Sequence, residues 1–162
     1  MKEKFIPEIN NRSVHYGEYT KKIMSLFSRQ EERGANVTKK DDRFFSMLWQ
    51  AFAWSAIIGF RENKRIKDAN LSNKTSFKYQ TITNSSQDIA HGLILMAIGK
   101  IDAIRSEDIL DSRKILNIIA EYAEGGAKHI LELRQTQGKE TMFNYSDDFF
   151  LEIYKRKKQY ED

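Results

Sequence analysis

The chain lacks cysteine altogether, and it contains a single proline and only eight glycines among its 162 residues. Without cysteine it has no disulfide framework, thiolate zinc site, iron–sulfur ligation or cysteine nucleophile. The scarcity of proline and glycine disfavours an all-β sandwich or barrel, which needs many tight turns. A chain of this length commonly forms one domain that is stable without disulfides or metal ions.

Long apolar runs are also missing. Residues 1–10 hold no apolar run of the length that a signal peptide requires. The most apolar stretch is Phe44–Phe60, which is interrupted by Ser46, Gln50 and Ser55 and is shorter than the about 20 residues of a membrane span. We therefore expect a cytoplasmic protein with no membrane association. The formal net charge of +4 permits an anionic partner without requiring one.

Apolar residues repeat with helical spacing through most of the sequence. The repeats predict helices over about Tyr16–Arg33, Asp41–Ile58, Ser86–Ile98 and Asp111–Gln135, with a short helical turn from Ser106 and a last helix from Ser146. The helix that ends near Ile58 is apolar on almost every side, as a helix in the middle of a bundle would be. The predicted fold class is all-α, a single-domain bundle of five or six helices around that central apolar helix. Residues 1–15 are predicted to be a partly ordered arm, and residues 60–86 an irregular basic loop.

Capping residues and glycines predict where the helices end. Asp41 and Asp42 are the predicted N-cap of the central helix, and Gly59 is its predicted stop. Gly125 and Gly126 lie inside the longest predicted helix, where two glycines cost about 2 kcal/mol relative to alanine. They indicate a kink, a break or a close helix crossing, and the sequence leaves these three alternatives open.

A period of two appears once, in the alternation of Phe77, Tyr79, Thr81 and Thr83 with other residues. This alternation indicates one short strand or an extended arm. Because the sequence shows no obvious mate for such a strand, it predicts no sheet.

The sequence contains no recognisable catalytic or metal-binding arrangement. Its histidines, His15, His91 and His129, show no metal-ligand spacing, and no phosphate-binding glycine motif occurs. We interpret His91 as a core residue and His129 as solvated. Paired carboxylates stand at predicted helix starts, where capping explains them better than a two-metal nuclease site. We predict no catalytic residue, metal site or cofactor; an enzyme built from scattered residues such as His91 and Tyr122 is the weakest alternative.

The segment from Arg61 to Lys78 concentrates positive charge, with six cations against two anions. The candidate nucleic-acid-binding residues are Arg61, Lys64, Arg65, Lys67, Lys74 and Lys78. Interleaved aromatic residues, Phe60, Phe77 and Tyr79, suggest that the segment tracks a phosphate backbone and stacks bases. An acidic protein partner and a simple solvated loop are the other two interpretations. The cations of residues 155–158 extend the patch only if the last helix packs beside this loop.

The run FFSMLWQAFAWSAIIGFRENKR, Phe44 to Arg65, is an apolar helix that ends in Gly-Phe-Arg and then Asn and two cations. It resembles small proteins of bacterial DNA phosphorothioation (Dnd-type) gene clusters, in which a glycine-aromatic-basic turn follows an apolar helix. The predicted helix Ile89–Ile98 is compatible with this resemblance. The likeness implies a bacterial accessory protein of a DNA-modification or phage-defence locus that acts by binding.

Two functions from different classes follow from these patterns. The first is a non-enzymatic accessory protein that contacts DNA or RNA through the basic loop. The alternative is a helical assembly subunit or adaptor in a larger protein complex or homo-oligomer, with no nucleic-acid role. The alternative is motivated by the large apolar residues of Phe44–Ile58, which would form a partner interface if the other helices left them uncovered.

Overall fold

The computed structural model describes residues 4–29, 44–71, 76–101 and 111–136, together with Tyr154, Lys155, Lys158 and Gln159. Within these ranges the chain forms six helices and one small sheet of two strands, so the predicted all-α bundle is confirmed. In chain order the elements are α1 Phe5–Asn11, β1 Ser13–His15, α2 Glu18–Phe27, α3 Leu48–Arg61, β2 Ser76–Lys78, α4 Gln80–Ser85, α5 Gln87–Ile98 and α6 Ser112–Thr136. None of the described helices has the length and apolar character needed to cross a membrane.

Helix α3 lies at the centre of the bundle. It contacts α2, α4, α5 and α6, which cover it on several sides. Its buried residues are Trp49, Ala51, Phe52, Ala53, Ser55, Ala56, Gly59 and Phe60. Because neighbouring helices cover it on several sides, most of its surface is buried. This explains why the sequence of α3 is apolar on almost every side.

Helices α3 and α6 cross with their backbones in contact. A Cβ atom at Gly126 would overlap the carbonyl oxygen of Ser55 and lie 2.7 Å from the amide nitrogen of Gly59. A Cβ atom at Gly59 would overlap the carbonyl oxygen of Tyr122. Since α6 continues through Gly126 without a break, a close crossing is the observed alternative of the three that the sequence left open.

Residues 5–15 belong to the segment that the sequence predicted to be a partly ordered arm. They form α1 and β1. Ile9 and Val14 from this segment are fully buried and anchor it to the core. Strand β1 pairs antiparallel with β2, with Ser13 opposite Lys78. Strand β2, for which the sequence showed no mate, therefore pairs with β1. The pairing escaped prediction because the two strands are distant in the chain.

The predicted strand or extended arm over Phe77–Thr83 is wrong beyond Lys78. The chain turns at Tyr79 and forms α4, in which Thr81 and Thr83 are helical. The same helix shortens the predicted basic loop of residues 60–86. In the described part of the chain, that loop is reduced to residues 62–71.

Helix α2 is shorter than predicted, because it ends at Phe27 rather than Arg33. Beyond it the chain pairs with the residues that precede α3. The Arg29 N–H donates to the Phe45 carbonyl at 2.8 Å, and the Phe45 N–H donates to the Phe27 carbonyl at 2.9 Å. At Ser28 and Arg29 this bridge replaces the predicted helix, and residues 30–33 lie outside the described residues.

Helix α3 begins at Leu48 and not at Asp41, so the predicted start is wrong. The Gln50 side chain turns back and accepts a hydrogen bond from the Met47 N–H at 3.0 Å, which caps the first turn. Asp41 and Asp42, the predicted caps, lie outside the described residues, as do the predicted helical turn at residues 106–108 and the start of the last helix at Ser146.

Other predicted caps are present. Ser86 is the N-cap of α5, because its Oγ accepts a hydrogen bond from the Ile89 N–H at 3.3 Å; the helix ends at Ile98, and Gly99 is its C-cap. Asp111 Oδ1 accepts hydrogen bonds from the N–H groups of Arg113 and Lys114 at 3.0 and 3.1 Å. The first turn of α6 is thereby satisfied by a side chain next to it in sequence.

Helix α2 takes its cap from a distant residue. Glu124 of α6 is only 4% exposed and packs against Gly17, the N-cap residue of α2. Its carboxylate accepts hydrogen bonds from the Tyr19 N–H at 2.8 Å, the Thr20 N–H at 3.1 Å and the Thr20 hydroxyl at 2.8 Å. The negative charge also lies at the positive end of the α2 dipole, so one buried side chain joins α2 to α6.

Glu124→Gln should lower the free energy of unfolding by about 2 kcal/mol, because the amide loses the charge and presents N–H groups to buried donors. Urea unfolding of the variant measures this loss. The control is Glu132→Gln on the same helix, where a half-exposed ion pair with Lys128 should contribute less than about 1 kcal/mol. Equal losses in the two variants would contradict the capping role.

Candidate nucleic-acid interface

The candidate interface begins where α3 ends, in a well-defined C-terminal motif. The Lys64 N–H donates to the Gly59 carbonyl at 2.8 Å, and the Asn63 N–H donates to the Phe60 carbonyl at 3.3 Å. Asn63 has a φ of 51°, in the left-handed region that asparagine tolerates. These two bonds form a Schellman motif, so Asn63 and not the predicted Gly59 terminates the helix.

The residues after Asn63 are fastened to α6. The Ile66 N–H donates to the Glu121 carbonyl at 3.3 Å, and Arg65 Nε donates to Glu121 Oε2 at 2.7 Å. The backbone of Lys64 and Arg65 lies so close to Gly125 that a Cβ atom there would overlap the Lys64 carbonyl oxygen. Gly125 therefore accommodates the loop, while Gly126 accommodates α3.

Arg65 is committed to contacts within the chain. It forms the ion pair with Glu121, and its guanidinium carbon lies 5.6 Å from the centre of the Tyr122 ring. That ring stacks on Phe60, with the ring centres 4.1 Å apart. The positive charge of Arg65 is thus paired within the chain, where it fixes the loop. This weakens the prediction that Arg65 contacts a nucleic acid.

Three other predicted cations, Arg61, Lys64 and Lys67, are exposed on the same short segment. Lys100, which follows α5, joins them from another part of the chain. Its Nζ donates to the side-chain oxygen of Asn63 at 3.4 Å and lies 5.8 Å from the centre of the Tyr122 ring. We refer to Arg61, Lys64, Lys67 and Lys100 as the basic turn.

Lys78 lies apart from the basic turn. It pairs with Ser13, whose neighbour Arg12 donates from Nε to Ser112 Oγ at the start of α6. Lys64 lies against Gly125, about 20 Å further along that helix, given the rise of an α-helix. The structure therefore does not bring Lys78 together with the basic turn.

Two further predicted cationic positions are Lys74 and residues 155–158. Lys74 lies outside the described residues. At the end of the chain, the described contact of Lys158 is with Tyr154 in its own segment, at 5.4 Å from the ring centre.

The aromatic residues expected to stack bases are occupied inside the protein. Phe60 is 8% exposed, and Tyr79 is fully buried with its hydroxyl donating to the Ala90 carbonyl. Burial raises the pKa of Tyr79, so its hydroxyl stays protonated and keeps donating. Phe77 is half-buried and packs edge-on against Phe52, with the ring centres 5.1 Å apart. The predicted base-stacking role is wrong for Phe60 and Tyr79, because both rings are buried in the core.

Sequence reasoning missed Lys100 and Glu121 as members of the site. Lys100 stands directly after a helix, where a cation is usually explained by the helix dipole. The interpretation of His91 as a core residue is also wrong, since His91 is exposed on α5. The side of α5 that faces the core consists of Ala90, Leu93, Ile94 and Ala97.

Comparisons of this chain with protein-family models, with curated proteins and with solved structures find no match.

Proposed function

We propose that this chain is a non-enzymatic accessory protein that contacts the phosphates of a nucleic acid through the basic turn. The observation that supports the proposal is that Arg61, Lys64 and Lys67 are exposed on a short segment whose backbone is bonded to α3 and α6. Lys100 joins this segment through its hydrogen bond to Asn63. A fixed backbone lowers the entropy lost on binding, because only the side chains have to be ordered.

The burial of the nearby aromatic rings specifies the type of contact. Within the part of the chain that the structure describes, Phe60 and Tyr79 offer the basic turn no free ring face on which unpaired bases can stack. Phosphate contact by lysine and arginine needs no base and is largely independent of sequence. We therefore favour the backbone of a duplex over a single strand, with an affinity that falls steeply as salt increases.

The biological setting belongs to the same proposal. The resemblance of Phe44–Arg65 to proteins of DNA phosphorothioation loci suggests a DNA-modification or phage-defence system in the bacterial cytoplasm. In such a system, a small basic protein would hold a larger complex on DNA without carrying out chemistry itself.

Replacing Arg61, Lys64, Lys67 and Lys100 with glutamine should abolish duplex binding in a gel shift at about 50 mM salt. Each single replacement should weaken binding and reduce the salt slope by about one unit, because each removes one phosphate contact. Fluorescence anisotropy over a salt series measures the slope.

Lys114→Gln is the matched control, since it removes the same charge from an exposed position in the first turn of α6, about two helical turns before Glu121. It should leave the slope unchanged. A similar loss of affinity in this control would indicate a general charge effect, and a wild-type protein that binds neither DNA nor RNA at low salt would refute the proposal.

An assembly subunit remains the second candidate function. Its original motivation is weakened, because Trp49 and Phe52 are covered by the chain's own helices. The observation in its favour is Leu95 on α5, which is 67% exposed. A partner that covered Leu95 would make the stability of the protein depend on the concentration of that partner.

A further inference from the structure

A second surface feature lies at the N-terminal end of α6, whereas the basic turn contacts the middle of that helix at Glu121 and Gly125. It is a half-open cavity of about 440 Å³ between β1 and the first turns of α6. Its described lining consists of Asn11, Arg12, Ser13, His15, Arg113, Leu116 and Asn117. A volume of this size is typical of sites for small organic ligands.

The secondary structure explains why these side chains share one cavity. Val14 is buried, so the flanking Ser13 and His15 project from the other face of β1. On α6, Arg113, Leu116 and Asn117 follow the spacing that places residues on one helix face. The cavity therefore lies between the outer face of a strand and one face of a helix.

The wall formed by α1 is held in place by three side chains. Arg12 Nε donates to Ser112 Oγ at 2.6 Å, and the Ser112 hydroxyl donates to Glu8 Oε1 at 2.7 Å. Arg12 Nη2 also contacts the same Glu8 oxygen at 2.9 Å. These bonds hold the pKa of Glu8 below its usual value, so its charge and the arrangement persist at neutral pH.

The described lining offers many hydrogen-bond donors and contains no carboxylate. The donors are two guanidinium groups, an imidazole, two amides and a hydroxyl. Two carboxylates lie just outside: Glu8 is occupied by Arg12 and Ser112, and Asp111 caps the backbone of α6. Because Asp111 already satisfies that helix end, any anion selectivity of the cavity comes from its side chains.

We propose that this cavity binds a small phosphomonoester of about mononucleotide size. Arg113 would pair with the phosphoryl oxygens, and His15 and Asn117 would donate further hydrogen bonds. Three phosphoryl oxygens suit this number of donors better than the two oxygens of a carboxylate. The remaining volume, with Leu116 as an apolar wall, accommodates the organic group that carries the phosphate.

The concave shape separates this site from the basic turn. Phosphates of a duplex lie on a convex surface, which fits exposed cations better than it fits a cavity between a strand and a helix. The inference is therefore independent of the nucleic-acid proposal, and either one can fail alone.

Isothermal titration calorimetry of the full chain with adenosine monophosphate, inorganic phosphate and adenosine tests the proposal. Adenosine monophosphate should bind, and adenosine should bind much more weakly. Arg113→Gln should weaken binding of adenosine monophosphate by roughly 10-fold to 100-fold, as the loss of a charge-assisted hydrogen bond predicts. Asn117→Leu is the second variant, and it should weaken binding without a change of charge.

Lys64→Gln in the basic turn is the matched control and should leave this affinity unchanged. Inorganic phosphate should bind more weakly than adenosine monophosphate, because it does not reach Leu116; equal affinity would overturn the mononucleotide size of the ligand. Three results would overturn the proposal: no binding of either phosphate probe, equal binding of adenosine, or equal affinity in a folded Arg113→Gln variant. Loss of duplex DNA binding in Arg113→Gln without any binding of the small probes would also overturn it, by assigning the surface to nucleic acid.

Discussion

Gly126→Ala is expected to lower the free energy of unfolding by about 3 kcal/mol or more, at the upper end of the range for overpacking. The added methyl group would overlap the Ser55 carbonyl oxygen and lie 2.7 Å from the Gly59 amide nitrogen. Both are backbone atoms of α3, so no side chain can rotate away to relieve the clash. The helices would have to separate, and the core between them would lose contacts.

Gly92→Ala is the matched control, because Gly92 is also inside a helix but a Cβ atom there would meet nothing within 4 Å. Alanine should stabilise α5 at this position by about 0.5–1 kcal/mol, through its better helix propensity. Urea unfolding of both variants therefore gives effects of opposite sign. Two stabilised variants would show that α3 and α6 do not cross at Gly126.

The same substitution connects the fold to the proposed function. Gly125 accommodates the backbone of Lys64 and Arg65, and its neighbour Gly126 sets the approach of α3. Separating the helices would move the basic turn relative to Glu121, which anchors Arg65. A Gly126→Ala protein that still folds should consequently bind duplex DNA more weakly than the wild type, although it keeps every cation.

The sequence predicted the fold class because helical periodicity is a local property. It also located α5 and α6 well, since Ser86 and Asp111 cap them through hydrogen bonds to residues two or three positions away. It failed where the deciding partner is distant. The cap of α2 comes from Glu124, and the mate of β2 is β1, so neither is visible in a window of neighbouring residues.

The candidate site divides in the same way. A run of cations between Arg61 and Lys78 is visible in the sequence, but the function of each cation depends on tertiary contacts. Arg65 forms an ion pair with Glu121, Lys78 lies in β2 opposite Ser13, and Lys100, which follows α5, donates a hydrogen bond to Asn63. Charge density alone therefore could not separate a structural arginine from exposed lysines nearby.

Phe52→Ala has the largest expected effect on stability, a loss of about 3–5 kcal/mol from a typical total of about 5–15 kcal/mol. The Phe52 ring is fully buried and packs edge-on against Phe77 of β2, so its removal leaves a cavity between α3 and the small sheet. Ile57→Ala on the same helix is the control. Ile57 is 39% exposed, and its truncation should cost about 1 kcal/mol or less in an isolated chain.

Unfolding both α3 variants in urea at two protein concentrations also tests the homo-oligomer form of the second candidate function. If the chain acts as a monomer, the midpoints should not depend on concentration, and only Phe52→Ala should shift them strongly. If Ile57 and Leu95 belong to an interface between copies of the chain, the wild-type midpoint should rise with concentration, and Ile57→Ala should remove that rise. A negligible effect of Phe52→Ala at both concentrations would contradict the position of α3 at the centre of the bundle, and the anchoring of the basic turn to α3 would fail with it.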